Sequence, residues 1–178
     1  MDADSGICYN WLGGLFCVLR GEMSVINVTD VARYIFCRYE YEFGQKIDEM
    51  KLHKLMYFAQ RESLIQTDEP LFAASFSGWR FGPVLKEIRA QYALGQFSNS
   101  FSEELLRDLK PVMDMVFSQY ASKESWSLSR LTHGEYSWKK SREGIPDNMN
   151  SDRLISIQDI RVDAQRIKER RAALPIMN

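Results

Sequence analysis

The chain has little of what catalysis and metal binding are usually built from. Its 178 residues include two histidines and three cysteines, and neither type recurs at a metal-ligand spacing such as paired histidines one helical turn apart. Cys8, Cys17 and Cys37 are odd in number, so no disulfide framework is implied, and a reduced, cytoplasmic protein is the simplest reading. A Gly-x-Ser-x-Gly elbow, a phosphate-cradling glycine loop and a dinucleotide fingerprint are all missing. Excess charge of one sign is missing too. The formal net charge is −1, which supplies no global field to recruit nucleic acid or an anionic membrane. The apolar run from Ile7 to Leu19 is interrupted and falls short of the ~20 residues that span a bilayer. Asp2 and Asp4 stand ahead of it, where a signal peptide would be basic. The expectation is a protein without metal, cofactor or membrane partner, and not an enzyme.

What is present is an ordinary globular composition, 45% hydrophobic and 26% charged, at a one-domain length that can bury a sizeable core. The organising stretch runs from Met50 to Val84. Leu52, Leu55, Met56 and Ala59 keep helical spacing, which turns one stripe inward and leaves Lys51, Lys54, Arg61 and Glu62 on the wetter side. Asp48 is placed to cap this helix and Ile65 to end it. Phe72, Ala74 and Phe76 then alternate with Ala73, Ser75 and Ser77, the period of a strand. An aromatic turn, Gly78-Trp79-Arg80-Phe81-Gly82-Pro83-Val84, closes the stretch.

Elsewhere the pattern is helical. A first helix is expected over Val28–Phe43, capped by Asn27 or Thr29 and ended by Gly44. Its inward residues are Val31, Tyr34, Ile35, Tyr39 and Phe43. A third helix, about Val84 to Leu94, would carry Pro83 in its first turn. The longest, Glu103 to about Tyr120, follows Ser102 and should be kinked or divided at Pro111. A shorter helix over Ser125–Thr132 turns Leu128 and Leu131 inward, and 134–151 reads as loop. A final helix follows Ser156, with Ile157, Ile160, Ala164 and Ile167 inside. The fold class is therefore mainly α, a single compact helical domain with a short β-hairpin or strand element, spanning residues 23–171. Residues 1–22 are expected to be a non-native or disordered extension before a natural start at Met23, with a short membrane-surface anchor as the alternative. Residues 172–178 are expected to fray.

Several residues carry two readings each. Trp79 suits a core or a partner contact, since tryptophan and arginine dominate binding energy at interfaces. Arg80 suits a structural ion pair or a partner contact, and His133 a loop-pinning hydrogen bond or a polar contact on a partner. Gly82 and Pro83 are backbone punctuation, one permitting an unusual dihedral and the other fixing the next. Cys37 lies within an amphipathic helix, where packing outweighs reactivity. The basic excess from Arg161 to Arg171 is diluted by Asp163 and Glu169, so nucleic acid is not expected as a partner.

The order of these motifs resembles one family. The helix Lys51-Leu52-x-Lys54-Leu55-Met56-Tyr57-Phe58-Ala59-Gln60, then Pro70-Leu71-Phe72, Gly78–Val84, and Leu131-Thr132-His133 with Glu135, Trp138 and Lys139 resemble the Panacea domain of SocA-like, phage-associated antitoxins. The resemblance covers roughly Val25 to Ile160. One departure is Ser137, where the family usually has proline. Membership implies a type II antitoxin that neutralises a cognate toxin by direct binding, with a phage-associated regulatory protein or protease adaptor as the alternative. The implied partner-binding residues are Lys54, Trp79, Arg80, Phe81, His133, Glu135 and Trp138.

Overall fold

The computed structural model describes residues 25–95, 97 and 100–173. The expectations placed on residues 1–22, on a start at Met23 and on the last five residues lie outside the described residues. Among the described residues there are seven α-helices and one two-stranded hairpin.

Local chemistry sets the first two helices. In α1 (Val28–Phe43) the Asn27 side chain accepts from the Thr29 amide at 2.8 Å, and Gly44 ends the helix in a left-handed conformation. In α2 (Glu49–Thr67) Asp48 accepts from the Lys51 amide, and Asp68 terminates the helix at φ 62°. Each cap satisfies an end group that has no intrahelical partner. From α1, Val31, Ile35 and Tyr39 enter the core, while Phe43 stays at the surface.

The amphipathic reading of α2 is corrected by its surroundings. Every residue from Lys51 to Ile65 is buried, because α1, α4 (Glu103–Val116), α5 (Ser125–Gly134), α7 (Ile157–Ala173) and the hairpin all pack against it. The wetter side expected for Lys51, Lys54, Arg61 and Glu62 does not exist. Their polar ends find partners inside the protein instead, as buried polar groups require. Lys51 Nζ donates to the Tyr39 hydroxyl at 2.8 Å, and Lys54 Nζ to the Pro83 carbonyl at 3.0 Å. Arg61 contacts Glu135 and donates to the Tyr120 hydroxyl at 2.7 Å. Glu62 accepts both guanidinium arms of Arg171, at 2.9 and 2.8 Å.

Gln60 explains a second correction. The run 72–76 is not a strand. The Gln60 amide accepts from the Leu71 and Phe72 N–H groups and donates to the Phe72 carbonyl, doing for this segment what a neighbouring strand would. Phe72 and Phe76 are buried with their ring centroids 5.9 Å apart. The strands lie further on, β1 (Ser77–Trp79) antiparallel to β2 (Gly82–Val84), with Trp79 opposite Gly82 across the Arg80-Phe81 turn. On its outer edge β1 is flanked by the 153–155 segment, which bonds to Phe76 and Gly78.

Pro83 and Val84 therefore belong to β2, and α3 begins later than expected, at Lys86 (Lys86–Leu94). Pro83 faces Gly78 in the pair that exchanges no ladder bonds, so its missing N–H costs the hairpin nothing. Pro111 does not divide α4; the change of pitch comes later, in a π-helical turn over Phe117–Ala121. The expected 134–151 loop contains a further helix, α6 (Tyr136–Ser141). Leu131 points outward and is exposed, whereas Leu128 is buried. Helix α7 runs to Ala173, two residues into the expected frayed tail.

Candidate functional site

The hairpin is held by side chains rather than by sheet. Two short strands are marginal by themselves, and here carbonyls of the hairpin and its turn are taken by donors from neighbouring helices. Arg142 Nη1 donates to Gly78 O at 2.8 Å, and Trp138 Nε1 to Trp79 O at 2.9 Å. Ser129 Oγ donates to Phe81 O at 2.9 Å, while Lys54 Nζ takes Pro83 O. Close approach is built in at two glycines. A Cβ on Gly78 would lie 2.3 Å from Ser141 Oγ, and one on Gly82 would lie 2.6 Å from Lys54 Cε. Gly82 also sits at φ +104°, a region side-chain-bearing residues avoid.

The brace continues through His133, which stacks on Trp138 at 4.1 Å with ring planes 13° apart. His133 Nε2 lies 3.4 Å from Ser129 Oγ. Its pKa is lowered by burial first and by the Lys54 charge second, against a hydrogen bond to the Arg80 backbone. Arg142 lies over the Trp138 ring at 5.4 Å. His133 and Trp138 thus grip the hairpin from behind.

The tip itself faces outward. Arg80 is exposed, and Phe81 and Trp126 are 37% and 59% exposed. The Arg80 guanidinium sits 4.2 Å over the Phe81 ring, which meets Trp126 edge-on at 5.1 Å. Trp126 was missed by sequence reasoning. Its one signal is a tryptophan off the Leu128 stripe of a short helix, where solvent is the only neighbour the pattern offers.

The structure thus brings Lys54, Trp79, Gly82, Pro83, His133 and Trp138 together under the tip formed by Arg80 and Phe81. It does not bring Glu135. That carboxylate contacts Arg61 and lines a separate cavity of about 400 Å³ with Asp163, Tyr120 and Arg130. Burial pushes Glu135 up to about 7, with Asp163 adding to the effect and Arg61 opposing it. His133 does not line that cavity. Lys54, 1% exposed, is an interior group rather than part of the exposed tip. Cys37 is half-buried, with a pKa raised chiefly by that burial.

Two further findings bear on what the domain can bind. Among the described residues no group of three or more His, Cys, Asp or Glu is arranged to hold a metal ion, and no helix is long and apolar enough to cross a membrane. On α7, Arg161 pairs with Asp68, Arg171 with Glu62, and Arg166 Nη1 lies 4.0 Å from Asp163. Three of the five basic residues on this helix are thus placed against the protein's own acids.

These features define a mainly helical domain that presents a side-chain-braced hairpin. Residues 52–139 match the family model described as antitoxin SocA-like, Panacea domain. Over this segment the chain is similar to that family. The match starts one turn into α2 and ends within α6, so it holds the whole hairpin and the bracing residues Lys54, Ser129, His133 and Trp138, but not Arg142 or the 153–155 segment. No curated protein and no solved structure matches the chain. Ser137, the departure from the expected proline, has a use here: its amide donates to Asp163 at 2.8 Å and its hydroxyl meets Tyr57 at 2.8 Å. Proline at this position would forfeit both bonds.

Proposed function

We propose that this protein is a type II antitoxin that neutralises a partner toxin by direct protein–protein binding through the hairpin tip. The observation that carries the reading is the exposed trio of Arg80, Phe81 and Trp126 on a rigid mount. Large rings and a guanidinium are the side chains that supply most binding energy at interfaces, and holding them in place beforehand lowers the ordering cost of association. The family description supports an antitoxin role. Masking needs no reaction, so the proposal invokes no catalytic group and no cofactor. An interface of ordinary size, roughly 1,600 Å² in total, suffices if these three residues lie near its centre.

The test begins with the tagged protein captured from its own host and any stoichiometric partner identified by mass spectrometry. The partner, expressed alone, should arrest growth, and co-expression of this protein should restore it. Arg80→Glu and Trp126→Ala should each weaken the complex by at least about 30-fold, the effect of losing an interface anchor worth about 2 kcal/mol. Both side chains are exposed, so their thermal melts should match the parent. Undiminished rescue by both variants would remove the tip from the interface, and a partner that is harmless alone would refute the antitoxin role. A partner whose lifetime shortens when this protein is present would mark a protease adaptor instead.

A further inference from the structure

Beside the tip, a cleft of about 410 Å³ opens between the first turns of α2, the hairpin and α3. Cavities of this size hold small molecules or single side chains. Lys54 and His53 line it, each 1% exposed. Among the described residues the Lys54 ammonium has the Pro83 carbonyl as its one hydrogen-bond acceptor and no carboxylate paired with it, although an ammonium carries three donors. His53 Nδ1 accepts from the Leu85 amide at 3.3 Å, which places the proton of a neutral ring on Nε2. That Nε2 is buried without a hydrogen-bond partner, the nearest carboxylate oxygen (Glu49 Oε1) being 3.8 Å away. Trp79 Nε1 is likewise buried and unpartnered.

Unmet donors are expensive inside a protein. Here they belong to three residues lining one cleft, with Arg80 and Arg89 at its walls and Glu49 as the acid among them. The Arg89 guanidinium lies 4.8 Å over the Trp79 ring and 3.6 Å from Glu49. The lining is therefore cationic, rich in single N–H donors and walled by aromatic surface. Glu49 repels a phosphate dianion more than a monoanion, and a carboxylate has the lone pairs to accept from an ammonium, an imidazole and an indole together.

We propose that this cleft is a receptor site for a carboxylate carried on a flat or apolar body, its oxygens taken by Lys54, His53 and Trp79 and its body lying against the Trp79 and Phe81 rings. The carboxylate comes either from a free small acid or from an acidic side chain of the bound partner; only the second source rests on the antitoxin reading.

Benzoate and its neutral isostere benzamide test the site on the full chain without any partner. At pH 6.5 benzoate should shift the Trp79 indole N–H resonance saturably, and benzamide should not. Lys54→Met should weaken that titration at least tenfold and Arg89→Gln severalfold, with amide resonances far from the cleft unmoved. Equal responses to benzoate and benzamide, or a benzoate titration unchanged by both substitutions, would overturn the proposal whether or not a partner complex forms. Given specific benzoate binding, its competition with the purified partner assigns the site to a partner's acidic side chain. Its indifference to the partner assigns the site to a free acid.

Discussion

Replacing Lys54 with methionine should make the protein more stable at pH 7, and the advantage should shrink as the pH rises. Burial brings the Lys54 amine from its usual 10.5 down to about 7, with Asp48 and Glu49 only partly opposing. Between those values the unfolded chain binds the proton that the folded chain has begun to release, so stability rises with pH across that window. The cost is fully present at acidic pH and gone above the unfolded value. At about 1.4 kcal/mol per pH unit, the penalty is about 4 kcal/mol at pH 7 and about 2 kcal/mol at pH 9. Methionine keeps the length and apolar bulk of the lysine stem but leaves the Pro83 carbonyl without its donor, a loss of about 1–3 kcal/mol. The net expectation is a gain of about 2 kcal/mol at pH 7, or about 4–8 °C in Tm, falling to near zero at pH 9. Urea titrations of both proteins at pH 7, 8 and 9 measure the gap, and other titrating groups cancel in the difference. A gap that stays constant or widens from pH 7 to 9 would show that Lys54 is charged in the fold with an ordinary pKa, and the reasoning from burial would fail.

Gly82→Ala should cost more than about 2 kcal/mol, because the left-handed backbone and the collision with Lys54 and Thr132 act together; a melt unchanged from the parent would refute the close approach. Asp163→Ala should cost about 3 kcal/mol, since this carboxylate, 2% exposed, caps α6 by accepting from the Tyr136 and Ser137 amides at 2.7 and 2.8 Å. Chemical denaturation reads that loss, and Asp163→Asn, which keeps one acceptor oxygen, should recover part of it.

Fold class and most helix limits were legible because they rest on local chemistry. Asn27, Asp48 and Ser102 each cap the helix that follows, and Gly44 and Gly95 end theirs in left-handed conformations. Side chains that bond their own backbone a few residues away leave that signature in any short window. The braces of the hairpin left no such signature. Ser129 reaches Phe81 across 48 positions, Trp138 reaches Trp79 across 59 and Arg142 reaches Gly78 across 64. Nothing in the spacing of those residues distinguishes a brace from a surface polar group.

The sequence by itself determined every described helix but α6, most of their caps, the position of the aromatic turn and the family pattern, because each depends on neighbours within a turn or on motif order. Only the tertiary structure decided that α2 has no wet face. A helix with polar residues on one side reads as half-exposed when water is assumed to be its other partner. Here that partner is protein, and Lys51, His53, Lys54, Arg61 and Glu62 became interior groups whose needs the rest of the chain must meet. Most are met by hydroxyls, carbonyls and opposite charges brought from far along the sequence. The donors of His53 and Lys54 that remain unmet belong to residues lining the cleft beside the hairpin, a location no local pattern could assign.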